Sequence, residues 1–440
     1  MKIVKRYLSL PLTAQLEITD LCNHRCIHCY NLDSEIKNRP TRIVDDEIVM
    51  ACAQKLIDND IFGVVITGGE PLLKKELTKK VIGLLYDNHI KVSLNSNLIL
   101  FDDDFISFLK DRKVTVLTSC PSGIPTSYKK LVGVDNFAVF ESNVNKLVAA
   151  GVRFSVNMVI TKDNLNEIIQ TAELIKQIGC KSFAATPMGL NVEYPRLDLL
   201  LSVEEVRKVI SDLLWIESNL GLKVDILEAL PKCVFPEIVL LEEHSFLNRK
   251  CQAGRTVIAV SCNGDVRPCA HNPYSYGNIL KEDLHTIWQK MDAWRSAQYV
   301  PSDCQDCSWI NRCNGGCRTS AKAYRGGWDK NDMWCIGPLR TMPPVFHPHK
   351  NELSSNTRLQ INSLLKVRKE DEEAYVVYNV ADDVTFMVNR EYYEFIMCLK
   401  KHPDITFGEL CCEFQLPITD DGITNVVLFL IAKKLIKIIK

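Results

Sequence analysis

Cys22, Cys26 and Cys29 lie in the segment CNHRCIHCY at C-x3-C-x2-C spacing. Three thiolates in one short loop can bind three irons of a [4Fe–4S] cluster and leave the fourth iron without a protein ligand. An open coordination position is what a catalytic metal centre needs. The same thiols with His24 or His28 could instead close a structural zinc site, so spacing alone leaves both metals open. A denser series follows at Cys251, Cys262 and Cys269, at Cys304, Cys307, Cys313 and Cys317 (C-x2-C-x5-C-x3-C), and at Cys335. By spacing it too could be a double ribbon-like zinc site. These residues belong to a set of 18 cysteines. The segment MKIVKRYLSLPLTAQLE is charged early and broken by Pro11, so no signal peptide is expected and the reading is cytoplasmic. Thiols in a reducing compartment point to metal or redox chemistry rather than to disulfides.

The elements that must position these cysteines are legible as a pattern. Short apolar runs at 16–19, 61–67, 91–95, 113–119, 153–161 and 181–187 are rich in β-branched residues and read as buried parallel strands. Helical spacing falls between them at 44–58, 77–87 and 139–150, and at Leu165, Ile168, Ile169, Ala172 and Ile175 ahead of Gly179. Six strand–helix units argue for an α/β fold, a partial (β/α)6 TIM-like barrel over 1–200, with its active site at the C-terminal ends of the strands. Ser202 and Glu205 form a capping box that opens a helix through about Asn219, in a helical connection over 201–250. Over 251–340 the periodicity weakens and metal sites are expected to replace a hydrophobic core. Residues 341–370 read as a linker, and 371–440 as a compact α+β module with strands AYVVYNV and VTFMVN and helices near 390–401, 406–414 and 421–436. A formal charge of −1 offers no general attraction to nucleic acid or anionic lipid, and the longest apolar run, Val426 to Ala432, is too short to span a bilayer.

The C-x3-C-x2-C spacing with Tyr30 directly after the third cysteine resembles the defining motif of the radical S-adenosylmethionine (SAM) superfamily. The GGEP segment from Gly68 to Pro71, at the end of the second predicted strand, strengthens that resemblance. It implies that SAM chelates the open iron and is cleaved to methionine and a 5′-deoxyadenosyl radical, which takes a hydrogen atom from a second substrate. It further implies that Gly68, Gly69 and Glu70 lie at the SAM amino group, and that Asn97, Ser119 and Asn157 lie near SAM at later strand ends. Leu98 stands where many members carry glycine after the asparagine. Cys120, beside Ser119, reads either as a hydrogen-atom donor facing the cavity or as a small core residue.

The series from Cys251 to Cys335, with Gly264 four residues short of Cys269, resembles the SPASM extension of this superfamily. That resemblance implies two auxiliary [4Fe–4S] clusters, making three in all. Cys251, Cys269 and Cys317, with Cys262 as fourth ligand, would hold the first, and Cys304, Cys307, Cys313 and Cys335 the second. The cysteines at 52, 120, 180, 233, 398, 411 and 412 mostly fall at apolar positions and read as core. The C-terminal module resembles the winged-helix PqqD-like recognition element, which binds a leader peptide as an added strand. Together these imply a maturase that takes hydrogen from a ribosomally made precursor peptide and installs a thioether or C–C cross-link, fed by an external donor such as flavodoxin or ferredoxin. An anaerobic sulfatase-type formylglycine maturase, a peptide epimerase, an iron–sulfur DNA-binding sensor and a zinc scaffold are the alternatives.

Overall fold

The computed structural model describes residues 8–31, 45–235, 244–340, 353–361, 365–379, 384–432 and 435–439. The chain divides into two compact units, Met1–Pro343 and Pro344–Lys440.

In the first unit, strands β1 (Thr13–Glu17), β2 (Gly63–Thr67), β3 (Lys91–Ser96), β4 (Thr115–Ser119), β5 (Phe154–Ile160) and β6 (Ser182–Pro187) pair in sequence order, all parallel. Helices α1 (Asp46–Asp58), α2 (Lys75–Asp87), α3 (Asp103–Asp111), α4 (Pro125–Val132), α5 (Phe137–Ala150) and α6 (Ile168–Gln177) connect them. Helix α1 shows why: Asp45 caps it by accepting from Glu47 N, and Val49, Cys52, Ala53 and Leu56 form one buried stripe at helical spacing. Helix α6 is preceded by a single 3-10 turn at Leu165–Glu167. The capping box of Ser202 and Glu205 opens α7 (Val203–Leu220), which ends at left-handed Gly221.

Both edges of this sheet extend past the expected six strands. After α7, β7 (Lys223–Asp225) pairs parallel to β6, inside the stretch read as a helical connection. Three residues are too few to show a period, so nothing in the sequence marks it. At the other edge β8 (Val257–Val260) pairs parallel to β1, and β9 (Asp265–Arg267) and β10 (Gly277–Asn278) follow antiparallel. The pairing with β8 also explains why β1 begins at Thr13, ahead of the expected run. The expectation that metal sites replace the core here is corrected. Ile258, Val260 and Val266 are fully buried in the main core, and Trp288 on α8 (Leu284–Lys290), Trp309 and Trp334 join them. Helix α9 (Arg318–Arg325) follows Cys317.

In the second unit β12 (Leu365–Lys369), β13 (Ala374–Asn379) and β14 (Val384–Asn389) form an antiparallel meander. Helices α10 (Arg390–Lys401), α11 (Phe407–Glu413) and α12 (Asp421–Ala432) follow it, and β11 (Arg358–Ile361) pairs antiparallel with β15 (Ile436–Ile439). Two expectations change. The part of the 341–370 linker that is described holds strands β11 and β12, while 341–352 lies outside the described residues. The last helix does not run to 436, because Ile436 pairs with Ile361 and is buried. The unit has its own core, including Leu359, Val377, Ile396, Leu410 and Val427. Among the described residues no helix is long and apolar enough to cross a membrane.

Candidate active site and cysteine centres

The three cysteines of the first motif sit in the loop that leaves β1, all with partly exposed thiols. The loop is shaped by its own backbone: Cys29 N donates to Cys26 O at 3.1 Å, while Arg25 N donates to Val132 O at 2.8 Å and Ile27 N to Leu131 O at 3.0 Å. Main-chain N–H groups aim at the sulfurs, His24 N at Cys22 Sγ and Asn31 N at Cys29 Sγ, each at 3.4 Å. Such donors favour thiolate over thiol. Burial nevertheless pushes the Cys22 and Cys26 thiols up, and for Cys26 the neighbouring Cys29 and Cys22 add to it. Three crowded sulfurs of this kind call for a positive centre between them, which is what a cluster supplies. His24 is turned elsewhere: its Nε2 meets Asn136 Nδ2 at 2.9 Å and its ring lies edge-on to Tyr128. Among the described residues no three Cys, His, Asp or Glu side chains converge as one metal ion requires.

The GGEP turn packs on that loop backbone to backbone. Gly69 N donates to Thr19 O and Glu70 N to Leu21 O, both at 2.7 Å. A Cβ on Gly68 (φ +144°) would stand 2.5 Å from Thr19 O, and one on Gly69 would stand 2.0 Å from Leu21 O. The glycines are therefore required by the neighbouring loop itself, whereas the sequence suggested close approach to a ligand. Asn31 Nδ2 completes the join by donating to Gly68 O at 3.2 Å.

Glu70 is held by bonds within the protein. Its carboxylate is 1% exposed. Oε1 accepts from Leu72 N (3.1 Å) and Ser96 Oγ (2.7 Å), and Oε2 accepts from Asn97 N (2.8 Å). Burial pushes the carboxyl up to about 6 against the lowering by these donors. Glu70 thus ties the end of β2 to the end of β3, and Asn97 Nδ2 carries the tie on to Asn23 Oδ1 of the cysteine loop at 2.7 Å. Leu98 adopts the left-handed turn (φ +67°) that a glycine would take easily, and its side chain is fully buried. Glu70→Gln keeps the shape but sets an amide NH2 against an N–H donor, whichever way it is turned. It is expected to cost about 1–3 kcal/mol, read as a lower denaturant midpoint of the metal-free chain. An unchanged midpoint would show that the three bonds do not hold this turn.

The later strand ends are mixed. Ser119 is exposed at the end of β4, opposite Asn157 on β5, whose Oδ1 accepts from Thr186 Oγ1 at 2.7 Å. Cys120 is fully buried, with its thiol on Ser122 O at 3.2 Å, and belongs to the core. Tyr30 stacks on His271 with ring centroids 4.4 Å apart, and its carbonyl accepts from Asn191 Nδ2 at 2.7 Å. The sequence reading missed His271, Asn191 and the buried pair of Arg267 with Glu17, which together fasten the 267–272 segment to β1 and its loop. None of these lies in a motif, and only the fold brings them together.

In the second region, burial pushes the thiols of Cys251, Cys269 and Cys317 up, Cys269 to about 11. The Cys251 sulfur adds to the shifts of the other two, which places the three together. Glu228 stands beside Cys251 and Cys317 and was not anticipated. Cys262, expected as the fourth ligand beside these three, follows β8. Because β8 runs parallel to β1, the following residues return to the end of β1, and the buried Cys262 thiol meets Asp20 Oδ1 at 3.5 Å. Cys304, Cys307, Cys313 and Cys335 line one cavity, and Cys233, read from sequence as core, lines it with them. Cys412, also read as core, is exposed.

Comparison with known proteins decides what this arrangement is. Residues 16–175 match the radical SAM superfamily, and residues 251–314 match the SPASM iron–sulfur cluster-binding domain. The chain carries both domains. These radical SAM and SPASM domains bind SAM and iron–sulfur clusters. Among similar proteins, the antilisterial bacteriocin subtilosin biosynthesis protein AlbA of Bacillus subtilis is 27% identical over 352 residues, covering 74% of this chain and 72% of AlbA. An AdoMet-dependent heme synthase of Methanosarcina barkeri is 24% identical over 73% of this chain and 95% of its own length. The crystal structure of Streptococcus suis SuiB bound to S-adenosylmethionine superposes with a TM-score of 0.62 at 19% identity, over 76% of this chain and 79% of SuiB, and so shares the radical SAM fold. The SPASM match ends before Cys317 and Cys335, so those two rest on position in the fold.

Proposed function

We propose that the chain is a radical SAM maturase that takes a hydrogen atom from a ribosomally made precursor peptide and installs a thioether or C–C cross-link. In this reading Cys22, Cys26 and Cys29 hold the catalytic cluster. Cys251, Cys269 and Cys317 hold a first auxiliary cluster, and Cys304, Cys307, Cys313 and Cys335 a second. A cluster held at Cys22, Cys26 and Cys29 would supply the electron that cleaves SAM, with a donor such as flavodoxin or ferredoxin to reduce it. The residues do the positioning. The GGEP turn and Asn97 set the cysteine loop, while Tyr30 and His271 hold it against the segment bearing Cys269. Closing a thioether or C–C bond would release one proton and one electron, and clusters held by residues 251–335 would be suited to receive the electron.

The observation that carries the peptide reading is the second unit. Strand β14 pairs only with β13 among the described residues, which leaves an edge that an extended peptide can join. Beside that edge three half-buried rings meet edge to face, Phe386 on β14 with Phe429 on α12 at 6.2 Å and Tyr392 on α10 with Phe429 at 5.5 Å. They offer an apolar pocket for alternate side chains of an added strand. The likeness to AlbA, a bacteriocin biosynthesis protein, supports the same reading. The likeness to a heme synthase favours a small-molecule substrate, for which a peptide-binding edge has no use.

A labelled precursor peptide, encoded beside the gene, separates the two readings by fluorescence anisotropy. The intact chain is expected to bind it, and Phe386→Ala with Phe429→Ala is expected to weaken binding about 10–100-fold. Binding that the double variant leaves unchanged would remove this edge as the peptide site.

A further inference from the structure

The cavity lined by Cys304, Cys307, Cys313 and Cys335 holds one thiol more than a cluster takes. Cys233 lies in a short turn, Lys232–Val234, that is pinned from both sides. The buried Lys232 ammonium donates to Leu247 O at 2.5 Å and Arg249 O at 2.8 Å, and Lys232 N donates to Cys313 Sγ at 3.3 Å. The turn sets Cys233 Sγ 3.7 Å from Cys335 Sγ, and Ile336 N donates to Cys233 Sγ at 3.4 Å. The core cysteines Cys120 and Cys180 place their thiols on main-chain carbonyls. Cys233 instead faces a sulfur, accepts a main-chain N–H as cluster thiolates do, and shares the cavity wall with the other four.

A [4Fe–4S] cluster takes one protein thiolate at each iron, so one of the five is surplus. Two metal–sulfur bonds of about 2.3 Å at the tetrahedral angle put their sulfurs about 3.8 Å apart, close to the spacing seen here. Cys233 and Cys335 are therefore placed to reach the same iron. We propose that Cys233 is an alternative ligand for the iron corner held by Cys335, the two thiolates exchanging there. In the exchange one iron–sulfur bond breaks as the other forms, and the proton of the incoming thiol passes to the outgoing thiolate, with no change of oxidation state. The cluster thereby survives loss of Cys335. This rests on the reading that the cavity holds a cluster.

The test uses the full chain, reconstituted without oxygen, as Cys335→Ala, Cys233→Ala and the double variant. Iron and sulfide per chain are counted, and the reduced proteins are compared by electron paramagnetic resonance. Each single variant is expected to keep the parent's iron and its resonance, and the double variant, left with the thiolates of Cys304, Cys307 and Cys313, to show the changed resonance of a cluster with one iron free of thiolate. Iodoacetamide is expected to spare Cys233 in loaded Cys335→Ala and to alkylate it after chelation, which keeps the test decisive should the double variant fail to fold. Iron lost from either single variant, the parent's resonance kept by the double variant, or ready alkylation of Cys233 in loaded Cys335→Ala overturns the exchange. A parent chain with no iron in this cavity overturns the cluster reading along with it, whereas a loaded parent with an empty Cys335→Ala overturns the exchange alone.

Discussion

Replacing Cys22, Cys26 and Cys29 together with alanine is expected to lower 5′-deoxyadenosine formation at least about 10³-fold and to remove about four irons per chain. His24 is committed to Asn136, and Cys262, the other thiol placed near the loop, meets Asp20 rather than a position between the three sulfurs. The protein itself should remain folded. The loop is held by main-chain bonds to Leu131 and Val132 and by its contacts with the GGEP turn, none of which uses a sulfur. The irons left behind, about eight with two auxiliary clusters filled, would report on residues 251–335 separately. The check is iron analysis and chromatography of the SAM products from parent and variant under dithionite, with far-ultraviolet circular dichroism for the fold. Deoxyadenosine within tenfold of the parent would place SAM cleavage somewhere other than this loop.

Gly69→Ala is expected to cut the same activity by about 10²-fold or more while leaving every cysteine in place. The added methyl group would fall 2.0 Å from Leu21 O and 2.8 Å from Asp20 O, both main-chain atoms of the segment leading into Cys22. Neither can swing aside as a side chain end could, so the cysteine loop must move. A displacement of about 1 Å at a reacting centre is enough for a loss of this size. Gly83→Ala is the matched control. That glycine lies inside α2 with no atom within 4 Å of the added Cβ, so the change should stabilise the chain by about 0.5–1 kcal/mol and leave activity alone. If Gly69→Ala retained full activity, the contact between the GGEP turn and the cysteine loop would have no catalytic consequence.

What the sequence showed and what it hid divide along physical lines. The first cysteine motif survives in one dimension because its three ligands lie close along the chain, whereas the second series, spread from Cys251 to Cys335, was read through its resemblance to a known pattern. The parallel strands β2 to β6 were legible as short apolar runs, buried on alternate residues in β3 and almost throughout in β6, and α7 because a capping box is a local bond pattern. The features that were missed depend on partners far along the chain. Val257–Val260 reads as an apolar stretch of no fixed role until it pairs with β1, and that pairing is what carries Cys262 to Asp20. Ile436–Ile439 continues an apolar helix by pattern and becomes a strand only because Arg358–Ile361 lies beside it. The three donors to Glu70 were hidden because they come from separate places, one beyond its own turn and two from the end of β3. Cys233 looked like core because its neighbour Cys335 is 102 positions away.

The most direct test is of the peptide chemistry itself. The reconstituted chain is incubated without oxygen with SAM, dithionite and the precursor peptide encoded beside the gene, and the peptide is weighed by mass spectrometry. Loss of two hydrogens per cross-link, with one deoxyadenosine formed for each, is expected of a cross-linking maturase. Deoxyadenosine formed steadily while the peptide's mass stays unchanged would contradict it and move the substrate to a small molecule.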